Sequence, residues 1–160
     1  MEFKDLIVEK VKSEFGNSLL AVEEFRGDLS LLFDGKRIKD LAQFLSGDPE
    51  LQFEMCEDVT AIDWAVRKNR FTVVYHIYSL KNNFRLRIKV NLDSEEIETV
   101  SSIWQSANWY ERETFDMYGI NFLNHPDLRR ILMPYDWEAG YPLRKDYKNP
   151  EFYQGMKVPY

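Results

Sequence analysis

Between Phe3 and Phe15 the apolar side chains fall at Phe3, Leu6, Ile7, Val11 and Phe15, the spacing of one helical stripe, with lysines and glutamates opposite. Gly16-Asn17 ends that helix. Leu20–Phe25 and Leu29–Phe33 read as two short strands joined through Gly27-Asp28. Asp34-Gly35 makes a turn, after which Ile38, Leu41, Ala42 and Leu45 predict a second amphipathic helix. Gly47-Asp48-Pro49 stops it, because proline disfavours helix in the residue before it.

The clearest strand lies mid-chain. Phe84, Leu86, Ile88, Val90 and Leu92 alternate strictly with Arg85, Arg87, Lys89 and Asn91, so one face of the sheet is packed and the other is wet or turned to a partner. Phe71–Leu80 is rich in β-branched and aromatic residues, and Asn82-Asn83 suits a tight turn because asparagine tolerates positive φ. Leu51–Trp64 supplies a third strand, with Phe53 and Met55 alternating against Gln52 and Glu54. The three predict an antiparallel meander. Asp93-Ser94-Glu95-Glu96 then has the form of a capping box, and Ile97, Val100, Ile103, Trp104 and Ala107 predict a helix behind it. Asn108 with Glu111 reads as a second cap, so a kink or a new helix is expected there, running to Tyr118 and closed by Gly119 in the left-handed region.

Beyond Gly119 the periodicity stops. Prolines 126, 134, 142, 150 and 159 lie in this last stretch, together with Phe122, Tyr135, Trp137, Tyr141, Tyr147, Phe152, Tyr153 and Tyr160. Disordered tails are poor in rings, and a long irregular segment is uncommon inside a compact domain. An extended arm that buries its rings against a neighbour satisfies both constraints. Charge marks the same division: residues 1–119 carry 15 basic and 22 acidic side chains, residues 120–160 six and five. The expected organisation is an α+β two-layer domain over 1–119, with a mostly antiparallel sheet packed by helices, and an extended C-terminal partner-binding arm over 120–160.

A chain of 160 residues with 44% hydrophobic and 30% charged residues has the make-up of a soluble globular domain, and a net charge of −6 argues against general nucleic-acid binding. No apolar run is long enough to cross a bilayer, and charges occupy the N-terminus where a signal peptide is apolar, so a cytoplasmic chain that meets a membrane only through partners is expected. Cys56, the single cysteine, can close no internal disulfide and cannot by itself hold an iron–sulfur cluster. The glycines form no phosphate loop, and neither HExxH nor CxxC occurs. His76 sits in an apolar strand and His125 precedes Pro126, where a hydrogen-bonded structural role outweighs a catalytic one.

The densest charge cluster is Glu111-Arg112-Glu113-Thr114-Phe115-Asp116. Arg112 and Asp116 stand four apart, which allows a helical ion pair, whereas Glu111 and Glu113 point to different faces and make no acid–base dyad. Two readings stand: a solvated helix face, or a buried polar joint where helix, arm and partner meet. Basic clusters at Arg129-Arg130 and Arg144-Lys145 have apolar flanks that suit arginine anchors at a protein interface better than lipid or nucleic acid.

The run Glu111–Phe122, then His125-Pro126-Asp127-Leu128-Arg129-Arg130-Ile131-Leu132, Trp137 and Gly140-Tyr141-Pro142-Leu143-Arg144-Lys145-Asp146-Tyr147, closely resembles the signature of the C-type (30 kDa-type) subunit of respiratory complex I, proton-pumping NADH:quinone oxidoreductase. Glu57–Asp63 is compatible with the same family. The resemblance implies a non-catalytic structural subunit of the peripheral arm, on the cytoplasmic face of the bacterial plasma membrane. It implies no cofactor in this chain, with FMN, iron–sulfur clusters and quinone in partner subunits, and contact with the D-type subunit among other peripheral-arm subunits. An equivalent subunit of a membrane-bound hydrogenase, or of a dehydrogenase with another electron donor, is the alternative. The residues expected at the partner interface are Glu111, Arg112, Glu113, Asp116, His125, Arg129, Arg130, Trp137, Pro142, Leu143, Arg144, Lys145, Asp146 and Tyr147.

Overall fold

A computed structural model describes residues 2–158; Met1, Pro159 and Tyr160 lie outside the described residues, and with them one proline and one ring of the expected arm. The first helix, α1 (Phe3–Phe15), buries Ile7, Val11 and Phe15 and is closed by Gly16. Strands β1 (Leu19–Phe25) and β2 (Asp28–Phe33) pair antiparallel around Arg26 and Gly27, both at positive φ, the backbone a two-residue hairpin requires. Helix α2 (Ile38–Gly47) buries Ile38, Leu41, Ala42 and Leu45. Then come β3 (Met55–Asp63), β4 (Phe71–Ser79) and β5 (Phe84–Asn91), the expected antiparallel meander. The five-stranded sheet has the order β1-β2-β5-β4-β3, and only the β2–β5 pair is parallel.

One face of the sheet carries the core. Phe15 meets Phe33 and Phe44 edge-on at 5.3 and 5.5 Å, and Phe3 meets Phe84 at 5.3 Å, which fixes the helices on the inner side of the sheet. On the outer side the charged face of β5 is neutralised across the strands, through Arg85–Glu57, Arg87–Asp28 and Lys89–Glu23. Exposed pairs of this kind are screened by solvent and salt and add little to stability. They keep this face wet rather than hold the fold.

Three expectations need correction. The strand expected from Leu51 begins only at Met55: Gln52 takes φ +43, and the Asp48 carboxylate accepts the Glu50 and Leu51 N–H groups, which folds this segment into a turn. Phe53 is therefore buried while Met55 is exposed, not on one shared face. The helix expected from Asp93 is absent. Its first residues form β6 (Glu96–Glu98), parallel to β7 (Asn121–Leu123), and turns occupy 101–106. A strand partner distant in sequence outcompeted a local cap, which propensity alone cannot foresee. The helix proper is α3 (Ala107–Tyr118), closed as expected by Gly119 at φ 76. Finally, the boundary after Gly119 falls inside packed structure, since Ile120 and Phe122 are 0% and 1% exposed. The remainder is mostly turns, with a small hairpin of β8 (Phe152–Tyr153) and β9 (Met156–Lys157).

Because Phe122 belongs to the core, Phe122→Ala is expected to lower stability by about 3–5 kcal/mol. Denaturant unfolding of the full chain measures it, and a loss under about 1 kcal/mol would mean that the domain does end before this strand.

Candidate partner interface

Helix α3 lies along β3, where Thr114 Oγ1 donates to the Val59 carbonyl at 2.7 Å. Its polar residues divide sharply by face. Glu111, Arg112, Thr114 and Asp116 are buried, whereas Glu113 is exposed and takes no part in the joint. Within this chain these four residues form a buried polar joint between helix and arm rather than a solvated face.

Asp116 holds the chain beyond the helix. One carboxylate oxygen accepts the consecutive N–H groups of Ile131, Leu132 and Met133 at 3.0, 2.8 and 2.8 Å, and the other accepts from the Arg130 guanidinium at 2.7 Å. Burial by itself would raise this carboxyl, but the N–H groups of Met133, Ile131 and Leu132 with Arg130 outweigh it and hold Asp116 below its ordinary value. The i, i+4 pair expected between Arg112 and Asp116 is thus not made. Arg112 instead donates to the Arg129 and Arg130 carbonyls at 3.2 and 3.3 Å and lies over the Trp109 ring. Two successive stretches are thereby held, the 129–130 carbonyls by Arg112 and the 131–133 N–H groups by Asp116.

Glu111 faces the other way, into the domain. It accepts from Val100 N–H at 2.8 Å and from the Thr99 hydroxyl, and so fixes the loop after β6. Burial pushes its carboxyl up to about 7. His125 stands 3.8 Å from it, but its Nε2 donates to the Asn108 carbonyl and its Nδ1 accepts from Asp127 N–H. Burial lowers the His125 pKa, so the ring is neutral near pH 7 and serves as a turn-holding structural histidine.

A second anchor lies further along. Arg144 donates to the Tyr118 carbonyl at the end of α3 at 2.6 Å, pairs with Glu95 at 2.7 Å, and stacks between Tyr141 and Phe71. A cation there also suits the negative end of the helix dipole. Gly119 makes this approach possible: a Cβ on it would stand 2.4 Å from the Tyr141 ring and 2.7 Å from the Arg144 guanidinium. Leu143 N–H bonds to Met117 O at 3.0 Å. Lys145 N–H bonds to Asp63, which also takes both ends of Arg70, while Arg70 reaches on to Asp146. Arg70 first, then the Lys145 and Ala65 N–H groups, hold Asp63 well below the carboxylate range against the cost of its burial.

The structure therefore brings Glu111, Arg112, Asp116, His125, Arg130, Arg144 and Asp146 together as internal fastenings of this chain. Arg129 is exposed and pairs with Asp127, and the Lys145 side chain is exposed. Trp137 packs on Tyr153 at 5.1 Å, its buried indole N–H without a hydrogen-bond partner among the described residues. Pro142 and Tyr147 are half-buried. Among its charged exposed positions the segment also turns apolar and aromatic side chains outward: Leu132, Tyr135, Leu143, Phe152 and Met156 are all at least half exposed. Sequence reasoning missed Asp63, Arg70, Glu95 and Thr99, which stand far from the cluster in sequence.

The family model described as "Respiratory-chain NADH dehydrogenase, 30 Kd subunit" matches residues 31–153. A C-type subunit of NADH-quinone oxidoreductase from Geobacter sulfurreducens is 48% identical over 88% of this chain and 86% of its own length. One of the same name from a Roseiflexus species is 46% identical over 88% and 81%. Among solved structures, the trypsin-resistant fragment of Nqo5 aligns with a TM-score of 0.66 at 28% identity, over 76% of this chain and 99% of that one. A chain of an archaeal respiratory membrane complex, the membrane-bound sulfane sulfur reductase, aligns with a TM-score of 0.70 over 92% and 86%, a likeness of fold alone at 22% identity.

Asp116→Asn is expected to loosen residues 129–133, because an amide cannot balance Arg130 in a buried site; a cost of about 3–5 kcal/mol is expected. Limited trypsin digestion should then cut after Arg129 and Arg130 well before the wild type is cut, and equal rates would refute the anchor. Glu111 has the opposite linkage. Its folded pKa lies above the ordinary 4.5, so its contribution is complete below pH 4.5 and is lost as pH rises through about 7. Glu111→Gln should accordingly gain on the wild type across that window, by up to about 3 kcal/mol, and hold the gain above it. Unfolding curves that stay parallel across the window would contradict this.

Proposed function

This chain belongs to the respiratory-chain NADH dehydrogenase 30 kDa subunit family, and from that premise we propose that it works as a fastening of its complex rather than as a reaction centre. As a relative of the C-type subunits of NADH-quinone oxidoreductase it is a peripheral-arm subunit of an NADH:quinone oxidoreductase, complex I, and sits among the other subunits of that assembly. In this reading the chain itself does no chemistry. FMN, iron–sulfur clusters and quinone are held by partner subunits, and electrons pass from NADH to quinone, coupled to proton movement, without visiting this chain.

The observation that carries the reading is how the polar groups are used. The buried ionisable groups of α3 are engaged with backbone or side chains of this chain, and the segment they fasten presents Leu132, Tyr135, Leu143, Phe152 and Met156 to the outside. Apolar side chains displayed by a segment with little regular structure match an interface that becomes dry on assembly. Internal anchors lower the ordering cost that such a segment would otherwise meet on binding. The D-type subunit is the neighbour proposed to receive this surface, with contact to further peripheral-arm subunits. Among the described residues no helix is long and apolar enough to cross a membrane. Attachment at the cytoplasmic face of the bacterial membrane would then come through partner subunits.

The alternative of a hydrogenase, or of a dehydrogenase with another donor, is not favoured. The sulfane sulfur reductase likeness reaches only the fold, whereas several relatives at 43–48% identity share the NADH-quinone oxidoreductase name.

Tyr135→Ala with Leu132→Ser alters exposed side chains without adding charge beside Asp116 and should leave the isolated chain as stable as the parent, within about 0.5 kcal/mol. The amount of assembled complex in membranes should fall several-fold, while NADH:quinone turnover per assembled complex stays unchanged. Full assembly with lowered turnover per complex would instead place this surface in the reaction.

A further inference from the structure

The side chains of Glu111 and His125 are both fully buried, and no arginine or lysine bonds to Glu111 among the described residues. Of the charged groups on its own helix, Arg112 turns onto the Arg129 and Arg130 carbonyls and Asp116 onto Arg130. From the sheet, Cys56 on β3 and Tyr75 on β4 are the titratable neighbours. Burial pushes the thiol up to about 12 and the phenol well above its ordinary value, so both stay neutral. The loop after β6 contributes only uncharged groups, Thr99 and Ser101. From the turn after β7 come His125 and Asp127, and the Asp127 carboxylate is taken by Arg129 at the surface.

The bonds around the Glu111 carboxyl suit two protonation states. Oε1 accepts Val100 N–H at 2.8 Å, and Oε2 meets the Thr99 hydroxyl. That hydroxyl lies 2.8 Å from the Ser101 hydroxyl and accepts Ser101 N–H at 3.1 Å. With a proton on Oε2, Glu111 donates to Thr99 and Thr99 donates to Ser101. With the proton gone, Ser101 donates to Thr99 and Thr99 donates to the carboxylate. Neither direction strands an oxygen. Ser101 is 8% exposed, so the chain of hydroxyls ends at solvent, and a proton passes to or from the buried carboxyl as two hydroxyls reorient.

The His125 ring lies where it senses which state is present. Asp127 N–H donates to Nδ1 at 3.0 Å, so the neutral ring carries its proton on Nε2. That N–H stands between two acceptors one helical turn apart, the Asn108 carbonyl at 3.1 Å and Glu111 Oε2 at 3.8 Å. A protonated Oε2 competes poorly with a carbonyl, whereas a carboxylate makes the stronger, charge-assisted bond. We propose that Glu111 and His125 form a proton-operated joint: with Glu111 protonated the ring rests on Asn108, and with Glu111 ionised it swings to the carboxylate and draws with it the turn of residues 122–127 that opens the C-terminal segment. Burial sets the Glu111 carboxyl at about 7, so the ring rests on Asn108 below that pH and on Glu111 above it, with both states populated near neutrality. The turn itself is closed by His125 N–H on the Phe122 carbonyl, which ties the ring's movement to the backbone at the end of β7. The joint lies wholly within this chain and does not depend on which subunit receives the segment beyond it.

Nuclear magnetic resonance of the full chain, titrated through neutral pH, tests this. The Glu111 carboxyl carbon, the His125 Nε2–H and the Asp127 amide should move along one curve with its midpoint near 7, while the ring nitrogens keep the shifts of the neutral Nε2–H tautomer. In Glu111→Gln, which leaves an uncharged side chain at the site, the His125 and Asp127 signals should stay at their acidic positions throughout. Thr99→Val removes the hydroxyl that favours the ionised form and should raise the midpoint by about one pH unit, a change that a merely structural hydroxyl would not produce. Three results from the parent chain overturn the proposal: Glu111 titrating in the ordinary carboxylate range; Glu111 titrating near 7 while His125 and Asp127 stand still; or His125 taking up the proton itself, seen as imidazolium nitrogen shifts. The parent chain alone gives these outcomes, so neither variant need fold for the test to decide.

Discussion

A single carboxylate fixes the path of residues 130–133 beyond helix α3. Asp116 sits on the inner face of a helix, takes three successive backbone N–H groups on one oxygen and an arginine on the other, and so converts an irregular segment into one with a fixed path. An ionised group in that position would be costly if its partners left, and the partners would be orphaned if the carboxylate left. Each therefore enforces the other. Arg112 on the neighbouring carbonyls and Arg144 at the helix end extend the same principle along the segment.

This arrangement alters the physical picture of the C-terminal region. A ring-laden, proline-punctuated stretch could have been a free arm that gains order only against a neighbour. Its first part is instead fastened to its own domain from Phe122 to Asp146, so its outward side chains are held ready in place before any partner arrives. The ordering cost of assembly falls accordingly. In the proposed function the anchors are internal and polar and the recognising side chains external, so fastening and recognition fall to different residues. A charge-removing substitution and a ring-removing one should consequently fail in different ways.

Much of the fold was legible because it follows from local period. The stripe of α1, the alternation of β5 and the glycine that ends α3 each depend on neighbours within a few residues. What was not legible depends on distant partners. Glu96–Glu98 carries a sound helix-start signal, yet it is a strand because Asn121–Leu123 lies alongside it. The candidate interface shows the same split. The sequence marked Asp116, Arg130 and Arg144 as a cluster that matters, but an i, i+4 spacing suggested the wrong partner for Asp116, and nothing in the pattern exposed Asp63 or Glu95 as the far ends of Arg70 and Arg144. Long-range pairing of charges leaves almost no periodic trace.

Asp116 must stay ionised while it holds the segment. A pH titration of the isolated full chain by nuclear magnetic resonance, following the Asp116 carboxyl carbon and the Ile131, Leu132 and Met133 amides together, tests this most directly. The contribution of a depressed carboxyl is complete above its ordinary value of 3.8 and is lost as pH falls through the lower folded value. The carboxyl should therefore titrate below 3.8, with the three amides moving to unstructured shifts in step with it. An Asp116 that titrates at or above its ordinary value, beside amides that already show unstructured shifts at neutral pH, would contradict the fastening of this segment.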